Sequence, residues 1–400
     1  MNKQSYIRES ITSYQKEQKE KNIHRILEII HIHGQISRIN IAKKLHIDRS
    51  TVTNIVPELL KFGIIQEVEG KPTGKGGRPP SPLSINPRFG YTLGISIHLK
   101  GFHAAILDLD GNLIEDVEGK LPYEPSFFTK NCISILDNLV ERLVKNKAPI
   151  IGAVIAISGI INPQNNVIDK SFVFRLMDYD FQKEISDKFP FSVLIENDAN
   201  ACAWGELFPH SPSMCTSFLY LLASTTDYNF DDKSDNGMAI GIGVVAEGNM
   251  IYGAHNCAGE LKSALWEDTD SVENPVSIPP TRLSDIQKDS LVFEEYINEI
   301  FISLGPVVSV LDPEAIIIGG DLKDKLSTIQ KQLSSPNSKY YLGREQSKYK
   351  ICSPSKGDNE ISAGAACMFL IRLFKQDSKY AQVRCPTRWK NIFAIKNLLS

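Results

Sequence analysis

The spacing of the apolar residues in this chain changes near residue 90. Between residues 22 and 62 the apolar side chains recur three or four positions apart, a period that places them on one face of a helix. From Tyr91 onward they alternate or form short continuous runs, which is typical of β-strands. The chain has 400 residues, enough for two or three domains of roughly 150 residues each. The pattern therefore predicts a small helical unit followed by a larger α/β body.

Three short helices are predicted in the first unit, at residues 22–33, 37–45 and 49–62. Ser37 and Asp48 stand where N-terminal caps are needed, so we expect both side chains to cap their helices. Ile39 is expected on the buried side of the second helix. Pro57 falls inside the third helix, where its ring would clash with the carbonyl of Thr53. We therefore expect a bend or an early end in that helix.

The third helix is predicted to expose polar side chains near its N-terminus. They are small or hydrogen-bonding groups of the kind that reach phosphates and base edges from the major groove: Arg49, Ser50, Thr51, Thr53 and Asn54. A short strand and a Gly-rich loop follow, and the loop carries the cations Lys71, Lys75 and Arg78. Such cations suit phosphate contacts or insertion into a narrow minor groove. Together these features predict a winged helix-turn-helix that binds double-stranded DNA. The alternative is a solvated three-helix packing module.

Charge is divided unevenly along the chain. Residues 1–85 carry 14 Lys and Arg against 8 Asp and Glu, a balance of +6, and the remainder carries −9, so the net charge of −3 hides a basic head. The longest apolar run, residues 148–161, is too short to span a membrane, and residues 1–20 lack a signal-peptide core. The seven Cys are scattered without a C-x-x-C pair. We therefore expect a cytoplasmic protein with no disulfide framework and no membrane partner.

Strands and helices alternate in the body. Strands are predicted at residues 92–97, 104–109, 150–157, 192–195, 218–222, 238–246 and 316–318, and helices at 127–145 and 293–311. Residues 110–112 (DGN) predict a hairpin turn. The acidic, Pro-containing segment 266–290 is expected to be a surface loop. Hairpins combined with β-α alternation predict an α/β body with a ligand cleft.

Four motifs in the body resemble the ROK family of sugar kinases and sugar-responsive repressors. They are residues 196–206 (ENDANACAWGE), 258–261 (AGEL), 314–320 (EAIIIGG) and 362–366 (SAGAA). The GRP sequence at 77–79 is similar to the repressor branch of the family, which includes xylose- and N-acetylglucosamine-responsive repressors. The resemblance implies a winged helix-turn-helix followed by a two-lobed, actin-like sugar-kinase fold. It covers the chain from the head to about residue 375.

The resemblance also shows where phosphate contacts of the kinase members are missing. Kinase members begin their first strand with Asp-x-Gly-Gly-Thr, and the matching stretch here is 96–100 (SIHLK). Met238 stands where kinases carry a phosphate-binding Thr. Because phosphoryl transfer depends on positioning and neutralising phosphates, we expect no catalytic residue and no nucleotide cofactor. Asp198 occupies the position of the kinase base and is expected to bind sugar hydroxyls instead. A helix cap is the alternative role for its carboxylate.

The sugar site implied by the resemblance contains Asn197, Asp198 and Glu260. Amide and carboxylate groups together offer both donors and acceptors to a polyol. Family members with structural zinc have a ligand histidine where this chain has Ser263, followed by a Cys-rich hairpin that this chain lacks. Since a zinc site needs about four N or S ligands, no metal is expected.

The predicted organisation has five parts, with boundaries at residues 1–20 (arm), 21–87 (winged helix-turn-helix), 88–203 (first lobe), 204–375 (second lobe) and 376–400 (C-terminal extension). The leading hypothesis is a repressor of carbohydrate-use genes with a sugar effector. It is expected to act as a homodimer or homotetramer, because two heads would read a pseudo-palindrome. One alternative is an active sugar kinase with a DNA-binding head. The other is a regulator whose vestigial cleft responds to a protein or to no ligand.

Overall fold

The structure, a computed structural model, describes residues 3–69, 81–99, 101–121, 127–144, 149–208, 215–230, 233–266, 275–283, 285–286, 288–334, 349–375 and 392. These residues form an N-terminal head and a body of two lobes, which confirms the predicted fold class. Within this described part of the chain, no helix is long and apolar enough to cross a membrane.

The head contains three helices and a two-stranded antiparallel sheet: α1 (Lys3–His33), α2 (Arg38–Leu45), α3 (Arg49–Phe62), β1 (Ile65–Glu67) and β2 (Leu83–Ile85). Ser37 caps α2 as predicted, because its hydroxyl accepts the N–H of Asn40. His46 ends α2 in a left-handed conformation with φ 51°. Gly63 ends α3 with φ 77°, a conformation that glycine adopts at little cost.

Three features of the helices differ from the predictions. The first helix begins at Lys3, so residues 3–20, expected to form an arm, continue α1. Asp48 occupies the N-cap position of α3, but its side chain makes no capping hydrogen bond. Ile39 is exposed, because Ile41 and Ala42 fill the inner face of α2. An apolar residue at the first turn of a short helix is thus displaced outward by its neighbours.

The third helix, α3, does not end early at Pro57, which was one of its two predicted outcomes. It runs on to Phe62 with the proline inside it. Pro57 is exposed, so its ring lies on the outer face, while buried side chains before and after it hold the inner face: Val52, Ile55, Val56 and Leu59. Packing of this apolar stripe compensates for the one N–H that proline lacks.

The first lobe is built on a five-stranded sheet in the order β10-β6-β3-β4-β5. Its strands are β3 (Tyr91–His98), β4 (Gly101–Leu107), β5 (Leu113–Lys120), β6 (Ile150–Ile157) and β10 (Ser192–Asn197). β3, β6 and β10 are parallel, and β6 is buried at every position, as expected for a strand covered on both faces. The hairpin turn predicted at residues 110–112 is present, and the Asp108 carboxylate accepts the N–H groups of Asp110 and Asn112.

The remaining elements of the first lobe cover the sheet or extend it toward the second lobe. They are α4 (Phe128–Val144), a small antiparallel sheet of β7 (Ile160–Asn162), β8 (Val167–Ser171) and β9 (Leu176–Tyr179), and the short helix α5 (Phe181–Ile185). Apolar side chains of these elements share one core with β3, β6 and β10.

The second lobe is a five-stranded sheet in the order β13-β12-β11-β14-β15 with helices packed on it. Its elements are β11 (Phe218–Phe230), β12 (Lys233–Ala246), β13 (Asn249–Met250), α7 (Pro280–Leu283), α8 (Ser290–Leu311), β14 (Ala315–Gly320), α9 (Leu326–Leu333) and β15 (Lys350–Cys352). The expectation that residues 266–290 form a surface loop is wrong for the described part of that segment. Val276, Ile278, Leu283 and Ile286 are buried in the core of this lobe.

Two helices lie where the lobes meet: α6 (Asp198–Glu206) and α10 (Glu360–Phe374). α6 packs on β11 and β12 of the second lobe, whereas α10 packs on β3, β4 and β6 of the first. The two helices also pack on each other so closely that a methyl group on Gly364 would lie 2.1 Å from the carbonyl oxygen of Ala201. Glycine is required at that crossing by the space available.

The head and the body share one apolar core. The cluster contains Ile26, Leu27 and Ile30 of α1 together with Leu370, Leu373 and Phe374 of α10. α1 contacts α10 directly. The head is therefore packed against the body through side chains that are buried on both sides.

Candidate functional sites: a recognition helix and an interlobe cleft

The outer face of α3 carries the side chains predicted to contact DNA. Thr51 is half-buried. The other four are exposed: Arg49, Ser50, Thr53 and Asn54. The Thr53 hydroxyl donates to the carbonyl oxygen of Arg49 at 2.8 Å. The structure thus brings all five predicted residues onto one short helix, with their polar groups pointing away from the buried stripe. This is the arrangement that a helix entering the major groove requires.

Three polar contacts hold α3 and its neighbours in place. Lys19 of α1 forms an ion pair with Glu58 of α3 at 2.6 Å, and Arg38 pairs with Glu67 of β1 at 2.7 Å. The guanidinium of Arg25 donates to the carbonyl oxygen of Leu45 at the end of α2. Both ion pairs are exposed, so each contributes at most about 1 kcal/mol, and the core fixes the orientation of α3.

The predicted wing joins β1 to β2. These two strands are paired antiparallel, and the N–H of Val68 donates to the carbonyl oxygen of Pro82. The wing cations Lys71, Lys75 and Arg78 lie outside the described residues.

In the body, Asn197 and Asp198 lie where β10 ends and α6 begins. Asn197, not Asp198, is the N-cap of α6, because its side-chain oxygen accepts the N–H of Asn200 at 3.0 Å. The amide nitrogen of Asn197 donates to the carbonyl oxygen of Gly159 at 3.0 Å. The Asp198 carboxylate accepts the N–H of Ala199 at 2.8 Å.

Glu260 lies near Asp198, where the start of α6 meets β12 of the second lobe. Its backbone forms an isolated β-bridge with Gly241 of β12, and a methyl group on Gly241 would lie 3.9 Å from a carboxylate oxygen of Asp198. Burial raises the pKa of Asp198. Burial also raises the pKa of Glu260, and the nearby charge of Asp198 raises it further. The three predicted sugar-site residues therefore come together at one point between the lobes.

A hydrogen bond crosses the cleft next to these residues. The side-chain amide of Asn256 donates to the carboxylate of Asp169 on β8 at 3.2 Å. Asn256 is in the left-handed region with φ 56°. Sequence reasoning missed both residues, because neither belongs to a family motif and only the tertiary structure brings them together.

A buried polar network lies directly beneath Asn197. The Glu196 carboxylate is fully buried, accepts the N–H of Asn197 at 2.8 Å and accepts the Tyr252 hydroxyl at 2.6 Å. The guanidinium of Arg372 lies 3.6 Å from the same carboxylate and donates to the Tyr252 hydroxyl at 3.3 Å. Trp204 Nε1 donates to that hydroxyl at 3.0 Å. One carboxylate thus links β10, α6, the second lobe and α10.

Burial and the neighbouring groups have opposite effects on the pKa of the Glu196 carboxyl group. Burial raises the pKa of Glu196, while the positive charge of Arg372 and the hydrogen bonds to the carboxylate lower it. The Arg372 side chain is 4% exposed, and its guanidinium also lies over the Trp204 ring, 5.7 Å from the ring centroid. A buried ion pair of this kind is costly to break, because removing one partner leaves an unpaired charge.

The turn after β14 is occupied by protein groups. The Glu360 carboxylate accepts the N–H of Gly320 at 2.8 Å and the hydroxyl of Tyr220. A methyl group on Gly319 would lie 2.5 Å from both Glu360 and Tyr220. Met238 is 4% exposed and belongs to the core of the second lobe.

Ser263 has a structural role in a turn. Its hydroxyl accepts the N–H of Leu265 at 3.0 Å, and its own N–H donates to the carbonyl oxygen of Pro275. Among the described residues, no group of three or more His, Cys, Asp and Glu side chains is arranged to hold a metal ion.

Comparison with known proteins identifies both units. Residues 92–262 match the ROK family, and residues 21–68 match the MarR family. The chain is 22% identical to the xylose repressor of Bacillus spizizenii over 382 residues, which cover 88% of this chain and 95% of the repressor.

Solved structures of low sequence identity show the same fold. A ROK family transcriptional regulator homologous to the Escherichia coli Mlc protein superimposes with a TM-score of 0.67 at 17% identity, covering 94% of this chain and 99% of that one. A ROK family glucokinase from Streptomyces griseus superimposes with a TM-score of 0.52 at 15% identity, covering 70% of this chain and 99% of the glucokinase. The chain therefore combines a ROK-type domain, matched at residues 92–262, with a MarR-like winged helix-turn-helix, matched at residues 21–68.

Proposed function

We propose that this chain is a sugar-responsive repressor of carbohydrate-use genes. One observation carries the proposal: an exposed, polar recognition helix is joined through a shared apolar core to a two-lobed body of the sugar-kinase type. The name of the relative that matches 88% of this chain, a xylose repressor, supports the same function.

In this proposal the head reads operator DNA. Asn54 and Ser50 offer hydrogen-bonding groups to base edges, and Arg49 lies at the start of α3, where phosphates are within reach. The wing cations add phosphate contacts. A homodimer or homotetramer places two heads about one helical turn apart, so that they read a pseudo-palindromic operator.

The cleft is proposed to bind a small carbohydrate effector. The Asp198 carboxylate accepts hydrogen bonds from sugar hydroxyls, and Glu260 adds a second carboxylate from the second lobe. The hydrogen bonds of Asn197 to Asn200 and Gly159 hold the loop that presents Asp198. Because the site is built from both lobes, an effector bound there changes how far the lobes close. A near-complete switch requires about 10⁴-fold different effector affinity in the two states.

We further propose that the body does not transfer phosphate. The N–H of Gly320 is already donated to the Glu360 carboxylate, so this turn presents an anion where kinase members face the nucleotide. A carboxylate there repels phosphate groups. Met238, in the position of a phosphate-binding Thr, contributes an apolar side chain to the core.

Selection of bound genomic fragments by the purified chain tests the proposal. Fragments should be enriched upstream of carbohydrate-use genes. Their binding should weaken steeply with salt, and replacing Lys75 and Arg78 by Ala should reduce the log–log salt slope by about two. Binding that is absent, or that does not respond to salt, would refute the DNA-binding part of the proposal.

Two further measurements separate the proposal from its alternatives. Sugar-dependent ATP consumption of about 1 s⁻¹ or faster would identify an active kinase. Release of the recovered operator by D-xylose, D-glucose and other sugars is measured for the wild type and for Asn197→Ala with Asp198→Ala. If every sugar response is the same in both proteins, the cleft is not the sensor and the vestigial-cleft alternative is favoured.

A further inference from the structure

α6 reaches from the cleft toward the head, and the last turn of α10 lies beside both regions. At the cleft, Asn197 and Asp198 form the start of α6, and Arg372 of α10 is paired with Glu196 beneath them. Two residues beyond Arg372, the last residue of α10 is Phe374. Two residues beyond the end of α6 lies Phe208. The same two helices therefore end beside each other on the side that faces the head.

His31 of α1 is packed between the ends of these helices. Its ring is stacked on Phe374 with the centroids 4.0 Å apart and the planes 9° from parallel. Its edge contact with Phe208 has a centroid distance of 5.5 Å and an interplanar angle of 67°. All three side chains are buried. His31 is thus a head residue that contacts the end of α10 and the segment that directly follows α6.

The two helices cannot slide past each other freely. Gly364 of α10 lies directly against the backbone of Ala201 in α6, and a methyl group on Gly205 would lie 3.1 Å from Gly364. An α-helix of nine residues is about 13 Å long and stiff on that scale. A displacement at the start of α6 is therefore passed to Phe208 and, through the close crossing, to α10.

We propose that α6 and α10 transmit the state of the cleft to the DNA-binding head, with the Glu196–Arg372–Tyr252 network as the cleft end and the His31–Phe374–Phe208 cluster as the head end. The inference rests on the proposed function, because operator affinity is its main readout. It assigns Arg372, Tyr252 and His31 as positioning residues that contact neither DNA nor effector. Coupling through packed side chains and stiff helices of this kind requires no direct contact between the two sites.

A double-mutant cycle on the full chain tests the connection. Tyr252→Phe removes only the hydroxyl that joins Glu196, Trp204 and Arg372, and His31→Ala removes both ring contacts at the head. The probe is the operator duplex recovered by genomic selection. Distant independent sites have additive effects, so the product of the two single fold-changes in operator Kd is the reference. We expect each single variant to raise the operator Kd. The fold-change in Kd of the double variant should be smaller than that product by at least about threefold.

Val56→Ala is the matched control. Val56 is buried in α3, which packs mainly on α2 and β1, so this variant weakens the head core away from α6 and α10. When Val56→Ala is combined with Tyr252→Phe, the fold-change in operator Kd of the double variant should lie within about twofold of the product of the two single fold-changes. His31→Phe, which keeps an aromatic ring in place, should restore the coupling that His31→Ala removes. Additivity of Tyr252→Phe with His31→Ala, or an operator Kd unchanged by Tyr252→Phe, would overturn the inference.

Amide hydrogen exchange provides a readout without DNA. In the full chain, Tyr252→Phe should increase exchange in α1 near His31, and the increase should be absent in the His31→Ala background. This measurement decides the inference even if no operator is recovered, or if either variant is too unstable for the binding assay. If the chain binds its operator but the effects of Tyr252→Phe and His31→Ala are additive, the connection between cleft and head is refuted and the repressor function is not. If the chain binds no DNA but the exchange effects of the two variants are coupled, only the repressor function is refuted.

Discussion

The recognition helix and the cleft differ in how their functional side chains are held. On α3, Ser50 and Asn54 are exposed, and the folding of the helix depends on the opposite, apolar face. In the cleft, the side-chain amide of Asn197 holds the chain with both its oxygen and its nitrogen. The Glu196 carboxylate beneath it accepts hydrogen bonds from Asn197, Asn200 and Tyr252 and is paired with Arg372. The residues proposed to bind DNA are therefore separable from folding, whereas those proposed to bind the effector also hold the fold together.

The largest expected difference between body and head is in the free energy of unfolding lost when an ion pair is broken, because the pair in the body is buried and the pair in the head is exposed. Arg372→Ala leaves the Glu196 carboxylate buried and unpaired, so we expect the free energy of unfolding to fall by about 3–5 kcal/mol. Arg38→Ala removes an exposed partner of Glu67 and should cost less than about 1 kcal/mol. Urea unfolding measures both. Similar losses for the two variants would contradict the contrast between body and head.

The shared core predicts that the head does not unfold on its own. Ile30→Ala removes a fully buried side chain of α1 and should reduce the free energy of unfolding by about 2–5 kcal/mol. Because the cluster includes α10, we expect the calorimetric transition of the body to shift with that of the head. If Ile30→Ala shifts only a small calorimetric transition at lower temperature and leaves the transition of the body unchanged, the head is an independent folding unit.

Substitution on the outer face of α3 should change DNA binding without changing stability. Asn54→Ala is expected to weaken operator binding by about 1–3 kcal/mol, as for loss of a base contact, and to change stability by less than about 0.5 kcal/mol. Asn138→Ala, at an exposed Asn on α4, is the matched control and should leave operator affinity unchanged. If Asn54→Ala lowers stability more than operator affinity, the separation of binding from folding in the head is incorrect.

The smallest expected effect is the contribution of Asp198 to the pH dependence of stability. The direction of that dependence tests the burial of its carboxylate. Burial raises the pKa of Asp198 above its ordinary value of 3.8, so the folded protein holds this proton more tightly than the unfolded chain does. The associated stability is present at low pH and is lost as pH rises through the raised pKa. Asp198→Asn should therefore be more stable than the wild type at pH 7 and lose less stability between pH 4 and pH 7. Urea midpoints at the two pH values measure this.

Asp137→Asn at an exposed position of α4 provides the control for a simple change in net charge. It should leave the pH dependence of stability close to that of the wild type. If Asp198→Asn is instead less stable than the wild type at pH 7, the carboxylate has a structural role that outweighs its burial.

Much of the fold follows from local sequence patterns. The predicted strand at residues 150–157 matches β6, because a continuous apolar run suits a strand that is covered on both faces. The exposed residues of α3 follow from the periodicity of its buried stripe. An early end of the helix at Pro57 was the wrong alternative, since the propensity of one residue is weaker than the packing of four apolar neighbours.

The candidate site was predictable only in part. Asn197, Asp198 and Glu260 lie in recognisable motifs, and the structure brings them together. Asp169, Asn256, Tyr252 and Arg372 belong to segments far apart in sequence, and their roles come from contacts that only the tertiary structure creates. The burial of Val276, Ile278, Leu283 and Ile286 was missed for the same reason, because isolated apolar residues in a polar segment do not reveal the core they join.

Packing of the His31 ring against Phe374 and Phe208 also limits how such regulators can be recombined. A chimera that joins this head to the body of a relative must bring a helix equivalent to α10 whose end fits the same ring, or it exposes apolar surface that favours aggregation. The head is thus matched to its own body and is not an exchangeable cassette. Operator preference is more safely altered by substitutions on the outer face of α3 than by grafting another head.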